Sequence, residues 1–198
     1  MIFTLITIQD QKEFSSFRNL SIITYKMIEC FMKNHVDLMM RNFEPFLIIK
    51  TIEVICLGLL VENEGKSCCC NAIKEICTTL YVYREKLSKP IQNLLKSEHT
   101  IFKEILKILL KTVIYEEHKM IWVFQKPLYP TVVINGKEDY EDIKNDIIHN
   151  EHDQSLREKI AYELEHLTMG IDFTIDKINR EKFNSNFSKF KNALLKFK

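Results

Sequence analysis

Glycine and proline are scarce in this 198-residue chain, with four of each. Sandwiches and barrels need turn residues every ten or so positions, so their shortage excludes an all-β fold. A long apolar run is also missing. The nearest approach, FLIIKTIEVICLGLLV from Phe46 to Val61, is interrupted by Lys50 and Glu53 and falls short of the ~20 residues that a bilayer span requires. Charge of one sign is absent as well: the net charge is +1, which gives no global pull toward nucleic acid or an anionic membrane. The opening MIFTLITI, Met1 to Ile8, has no basic residue before it and no small-residue cleavage site after it, so it does not read as a signal peptide. The six cysteines are accordingly expected to be reduced thiols in cytosol or nucleus.

What remains is helical periodicity. The spacing predicts a helix from about Leu20 to Asn34 with Ile23, Met27, Cys30 and Phe31 on its apolar face. A second helix opens at Pro45, a residue suited to a first turn. It carries Ile48, Ile52, Ile55 and Leu59 on one face and Ile49, Cys56 and Leu60 on a neighbouring one, so it is expected to be covered on two sides. Gly65 reads as a helix end and Ser67 as the N-cap of the next helix, where Cys70, Ile73, Cys77 and Leu80 line up. A further helix has Ile101, Ile105, Ile108 and Thr112 on one side and Leu106, Leu110 and Val113 on another. The run KPLYPTVVING, Lys126 to Gly136, has two prolines, a β-branched stretch and an Asn-Gly, and read locally it is a short strand and turn. Helix returns with Ile143 and Ile147, then with Ile160, Leu164, Leu167 and Ile171, and last with Phe183, Phe187, Phe190 and Leu194.

Seven or eight amphipathic helices with such faces bury them by stacking in pairs. The expectation is an all-α fold, a HEAT- or armadillo-like α-solenoid of antiparallel helix pairs, forming a single repeat region over residues 1–198. Pattern alone leaves one compact helical bundle as the alternative. Local charge is uneven. Residues Glu138 to Glu165 hold ten acids against three bases, and Lys177 to Lys198 hold seven bases against one acid. Both read as solvated helix faces, the acidic one also as a surface for a basic partner.

Chemistry-bearing motifs fare poorly. Gly65-Lys66-Ser67 has the end of a Walker loop, but Leu60 stands where its first glycine belongs and the preceding segment is helical, so no amide cradle forms. Cys68, Cys69 and Cys70 diverge by about 100° each on a helix, and no C-x-x-C pair accompanies them; they read as small core residues. His149 and His152 sit at a helix end running into a polar loop, with His166 distant in sequence. No G-x-S-x-G elbow or H-E-x-x-H is present. The reading therefore assigns no catalytic, metal or cofactor residues and no cofactor. Trp122, the single tryptophan, is expected to anchor a helix–helix corner, with a place in a binding groove as the alternative. The basic last helix, with Lys182, Lys189, Lys191, Lys196 and Lys198, is expected to cap the array with one wet face.

Several stretches, in order, resemble the exportin-7 branch of the importin-β-like nuclear transport receptors. NHVDLMMRNFEPFLIIKTIEVICLGL resembles that family's Leu-Glu-Pro at the head of a long apolar helix, and CCCNAIKEIC resembles its cysteine-rich helix start. Ile114, Glu116, Glu117, Trp122, Lys126, Pro127 and Leu128 match its Ile-x-Glu-Asp…Trp-x-x-x-Arg-Pro-Leu segment. Asn179, Arg180, Phe183, Phe187 and Phe190 match its Asn-Arg-x-x-Phe end. The resemblance runs from about Tyr25 to Lys198 and corresponds to the carboxyl end of the receptors. It implies one long helix through the Pro-Leu segment. Pro130 and Gly136 depart from the family there, which implies a kink or break between them. It also implies a HEAT-repeat receptor that shuttles between nucleus and cytoplasm and exports proteins through the nuclear pore. Its partners would be Ran, held mainly by repeats near the amino end that this chain does not match, protein cargo, and phenylalanine-glycine nucleoporins. No nucleic acid, membrane or enzyme activity is implied. The rival readings are a complete small helical scaffold that binds another protein, and a metal-dependent helical enzyme using His149, His152 or the thiols.

Overall fold

A computed structural model describes residues 18–60, 65–84, 86, 89, 92, 99–115 and 121–195. These residues form seven α-helices and no strand: α1 (Arg18–Asn42), α2 (Pro45–Leu60), α3 (Gly65–Tyr83), α4 (His99–Tyr115), α5 (Ile121–His149), α6 (Gln154–Leu167) and α7 (Lys177–Leu195). The fold is all-α and fits the helical-solenoid class. The chain divides into two compact units, Met1–Thr100 and Ile101–Lys198.

In the first unit α3 packs against both α1 and α2. Pro45 opens α2, where its missing N–H costs nothing, and the Glu44 carbonyl accepts from Leu47 N at 2.9 Å and Ile48 N at 3.3 Å. Ile48, Ile52, Ile55 and Leu59 are all fully buried, as their spacing required. The second covered side of α2 differs from expectation. It is made by Thr51, Val54 and Gly58, while Leu60 is exposed and Ile49 and Cys56 are half-buried. Gly58 explains the choice. A Cβ there would stand 2.3 Å from the Cys69 Sγ and 2.7 Å from the Tyr25 ring, so its absence lets three helices meet. Periodicity cannot register a face built on a missing side chain.

Two further expectations are corrected here. Ser67 is not an N-cap: α3 already begins at Gly65, and Ser67 lies in its first turn. The apolar face assigned to α1 is not the one it buries. Tyr25, Ile28 and Met32 are buried at 1–2% exposure, with Ser21 and Thr24 beside them. Ile23 and Cys30 are exposed, and Met27 and Phe31 half-buried. Helical spacing offered two stripes, and packing against α3 selected the one containing the tyrosine. α1 continues past Asn34 to Asn42 with a kink at His35 (φ −141°, ψ 17°), and beyond it Val36, Met39 and Met40 are buried.

In the second unit the local strand reading of Lys126 to Gly136 is overturned. Both prolines lie inside α5, which runs unbroken to Asn135 and turns at Gly136 (φ 76°, ψ −178°). The kink implied by the family resemblance is present, and it falls on the glycine. That left-handed φ is cheap only for glycine. Thr131 Oγ1 donates to the Pro127 carbonyl at 2.7 Å. Asn135 Nδ2 donates to the Thr131 carbonyl at 2.8 Å and to Phe102 O of α4 at 3.1 Å.

Asp153 caps α6, accepting from Leu156 N at 2.8 Å. Ile160, Leu164 and Leu167 are buried as read. Ile171 is buried too, but it lies past the end of α6 in the connection to α7. Phe183, Phe187, Phe190 and Leu194 form the buried stripe of α7, each contributing roughly 1.5–3 kcal/mol by burial. Its other face, with Arg180, Glu181, Ser185, Lys189 and Asn192, is wet.

Candidate interaction surfaces

The most constructed part of the surface is the connection between α6 and α7, residues 168–176. Asp176 accepts from Asn179 N at 2.9 Å and so caps α7. The Asn179 side chain, 6% exposed, accepts from Asp172 N at 3.1 Å and donates to Thr174 Oγ1 at 2.9 Å and Asp176 Oδ2 at 2.6 Å. Hydrogen bonds from Thr174 and Asn179 hold the Asp176 carboxyl down to about 2. The Tyr129 hydroxyl of α5 donates to the Thr174 carbonyl, and its ring lies 5.2 Å from that of Phe183. Within the connection Gly170 (φ 70°) and Phe173 (φ 52°) take left-handed conformations, costly for phenylalanine and held by this network.

A groove of about 520 Å³ lies against this connection. Met169, Ile171 and Phe173 supply its apolar lining, and Glu165, Asp172 and Lys137 its charges. Behind the rim, Lys144 is buried between α5 and α6. It donates to Glu141 Oε2 at 2.5 Å and to Glu165. Burial works against the Lys144 charge, but the hydrogen bonds to the two carboxylates outweigh it and raise the ammonium. The bond from Lys144 likewise lowers Glu165. Tyr140, fully buried, donates to the Leu164 carbonyl at 2.7 Å. The groove is thus lined by charged and apolar side chains beside a hydrogen-bonded connection.

The residues singled out for chemistry are scattered. Lys66 is buried in the first turn of α3, where no phosphate can reach it. Cys68, Cys69, Cys70 and Cys77 are all buried, Cys56 is half-buried and Cys30 exposed. Burial, then a hydrogen bond with Glu29, pushes the Cys68 thiol up to about 12. Burial pushes Cys69 well above its usual value. Both are therefore uncharged and unreactive at neutral pH. His149 ends α5 and His152 precedes the α6 cap, both exposed; His166 stacks on Tyr162 at 4.0 Å with its Nδ1 2.8 Å from Tyr162 O. Among the described residues no group of three or more His, Cys, Asp or Glu side chains is placed to hold a metal ion.

Trp122 does not anchor a corner. It is 55% exposed on α5, with the Lys126 Nζ 5.6 Å above its ring, while Ile121, Val123 and Phe124 around it are buried. Asn179 and the phenylalanines of the Asn-Arg-x-x-Phe stretch prove to be loop organiser and core. Glu116, Glu117, Lys196, Lys198 and the Met1–Ile8 stretch lie outside the described residues. Sequence reading missed the groove because it is built from two helices and a connection, although Asp176 ahead of α7 carried a capping signal.

The described residues form an all-α array that fits the helical-solenoid class. Comparison with known proteins narrows this. The chain is similar to human Ran-binding protein 17, 22% identical over 189 residues covering 88% of the chain. It is also similar to exportin-7-B of Xenopus laevis (21% identical, 84% of the chain) and to Ran-binding protein 16 of Drosophila melanogaster (22% identical, 96% of the chain). The resemblance to exportin-type receptors thus extends over most of the chain, which spans only 16–19% of the length of these relatives. No family model matches the sequence, and no solved structure matches it.

Proposed function

We propose that this chain is the carboxyl-terminal helical part of an exportin-7-like nuclear transport receptor, a single repeat region that works by equilibrium binding and shuttles through the nuclear pore. The observation that carries this reading is the similarity to exportin-7 and to Ran-binding proteins 16 and 17 across 84–96% of the chain. The helical fold agrees with it, because stacked amphipathic helices offer long surfaces to protein partners. In the whole receptor the partners are protein cargo, phenylalanine-glycine nucleoporins and Ran, with Ran held mainly by an amino-terminal part that this chain does not match.

Two measurements test the proposal. Titration of the chain with Ran loaded with GTP is expected to give weak or no binding; submicromolar affinity would overturn the assignment of Ran contacts to other parts of the receptor. Retention on immobilised phenylalanine-glycine repeats is expected at low ionic strength. Its absence would remove the nucleoporin contact from this region.

A further inference from the structure

α2 has two apolar faces and covers the one with Ile48, Ile52, Ile55 and Leu59, leaving Ile49 and Cys56 half-buried and Leu60 exposed. α1 also has two apolar faces, but only the one with Tyr25, Ile28 and Met32 is covered. The second runs along Leu20, Ile23, Met27 and Cys30 at helical spacing. Leu20 is 40% and Ile23 56% exposed, Cys30 is exposed and Met27 half-buried. Single exposed apolar residues are ordinary, whereas a contiguous helical stripe marks an interaction surface.

Charge says what fits there. At about 100° per residue, Lys26 and Lys33 fall together along one flank of the stripe, and both are exposed. The molecule shows how it treats such a row. On α4, Lys103 and Lys107 meet Asp139 at 2.5 Å and Asp146 at 2.7 Å on α5. A helix laid on α1 in the same way brings an aliphatic ridge into the stripe and carboxylates against the lysines. A second copy of α1 laid antiparallel would set like charge against like, since equivalent flanks face each other in that pairing.

We infer that the outer face of α1, centred on Ile23 and Met27, is a docking site for a partner's amphipathic helix that carries an aliphatic ridge flanked by acidic side chains. The inference stands apart from the transport reading and involves neither Ran nor the α6–α7 groove. Binding of this kind is helix-on-helix recognition with leucine-type anchors and a charged rim that fixes orientation.

The test uses the full chain and synthetic helical peptides of about 20 residues, with a leucine ridge and either glutamates or lysines along one flank. The glutamate peptide is expected to bind at least about tenfold more tightly than the lysine peptide. Ile23→Ser with Met27→Ser abolishes that binding. Lys26→Glu with Lys33→Glu reverses the preference, a gain that an unfolded variant cannot produce. Equal binding of the two peptides, or a preference that survives the charge reversal, overturns the inference. So does self-association that the serine variant abolishes, which would assign the face to a second copy. Peptide binding seen only after removal of residues 1–17 would assign it to the chain itself and overturn the inference equally.

Discussion

Among the described residues the buried sulfur-bearing side chains all lie in the first unit, where Met32, Met39, Met40 and four of the cysteines pack among aliphatic residues. The second unit buries more aromatic rings, with Tyr140, Phe183, Phe187 and Phe190 among the largest fully buried residues. The polar contacts differ in the same sense. Thr24 and Thr51 of the first unit bond back to their own helices, to Leu20 O and Leu47 O. In the second unit Asn135, Tyr140, Tyr129 and Lys144 all bond across to another segment. In the first unit the register is set by the notch at Gly58 and the adaptable fill of thioethers and thiols, together with the bond from Asn71 of α3 to Glu29 of α1. Directed hydrogen bonds set it in the second, where a shift of one turn would leave buried donors unpaired. A unit held by shape tolerates repacking, and one held by directed bonds presents a fixed surface, which is where the structured connection and its groove lie.

Four changes break or sharpen this contrast. The largest effect is expected from Phe187→Ala, which empties the middle of the α7 stripe and costs about 3–5 kcal/mol, read from chemical denaturation. Next is Gly58→Ala. Its methyl group would collide with Cys69 and Tyr25 and cost about 1–3 kcal/mol. If shape alone is at issue, adding Cys69→Ala restores part of that loss, and a double variant no better than the single one would refute the notch. Tyr140→Phe keeps the ring and removes one cross-segment bond, for about 0.5–1.5 kcal/mol, with faster amide exchange near the end of α6 as the local reading.

The smallest effect concerns acid. Asp176 has its folded value lowered from 3.8 to about 2, so it favours the native state fully above about pH 4 and loses that contribution as pH falls toward 2. A titration followed through the α6–α7 connection should show loosening in that window. Asp176→Ala should remove the pH dependence there and leave the first unit unaffected.

Much of this architecture was readable from the residues. The stripes of α2, α3 and α7 were legible because apolar side chains recur at the helical period with polar residues between them. α1 was not, since it carries two stripes of similar strength and the choice depended on where α3 lies. The strand reading of Lys126 to Gly136 failed for a related reason. β-branched residues and prolines speak against helix locally, but burial of Val132 and Val133 and the bond from Thr131 to Pro127 O outweigh that preference. The corner expected for Trp122 failed because its position on α5 leaves it 55% exposed. The groove was illegible because residues from 137 to 173 meet there only after α5, α6 and their connections have folded.

The sequence by itself determined an all-α chain, the apolar stripes of α2, α3 and α7 and the likeness to exportin-type receptors, with a break between Pro130 and Gly136 implied by that likeness. Those depend on local period, on backbone freedom at one glycine and on colinear short patterns, all of which are properties of neighbours in the chain. Only tertiary structure decided which of two apolar faces α1 would hide, that Gly58 would serve as a crossing point, and that Asn179 and Tyr129 would pin a left-handed connection over a groove. The Gly58 crossing and the Tyr129 bond depend on contacts between residues 11 to 45 positions apart, or on the absence of a side chain, and neither leaves a periodic trace in the order of the amino acids.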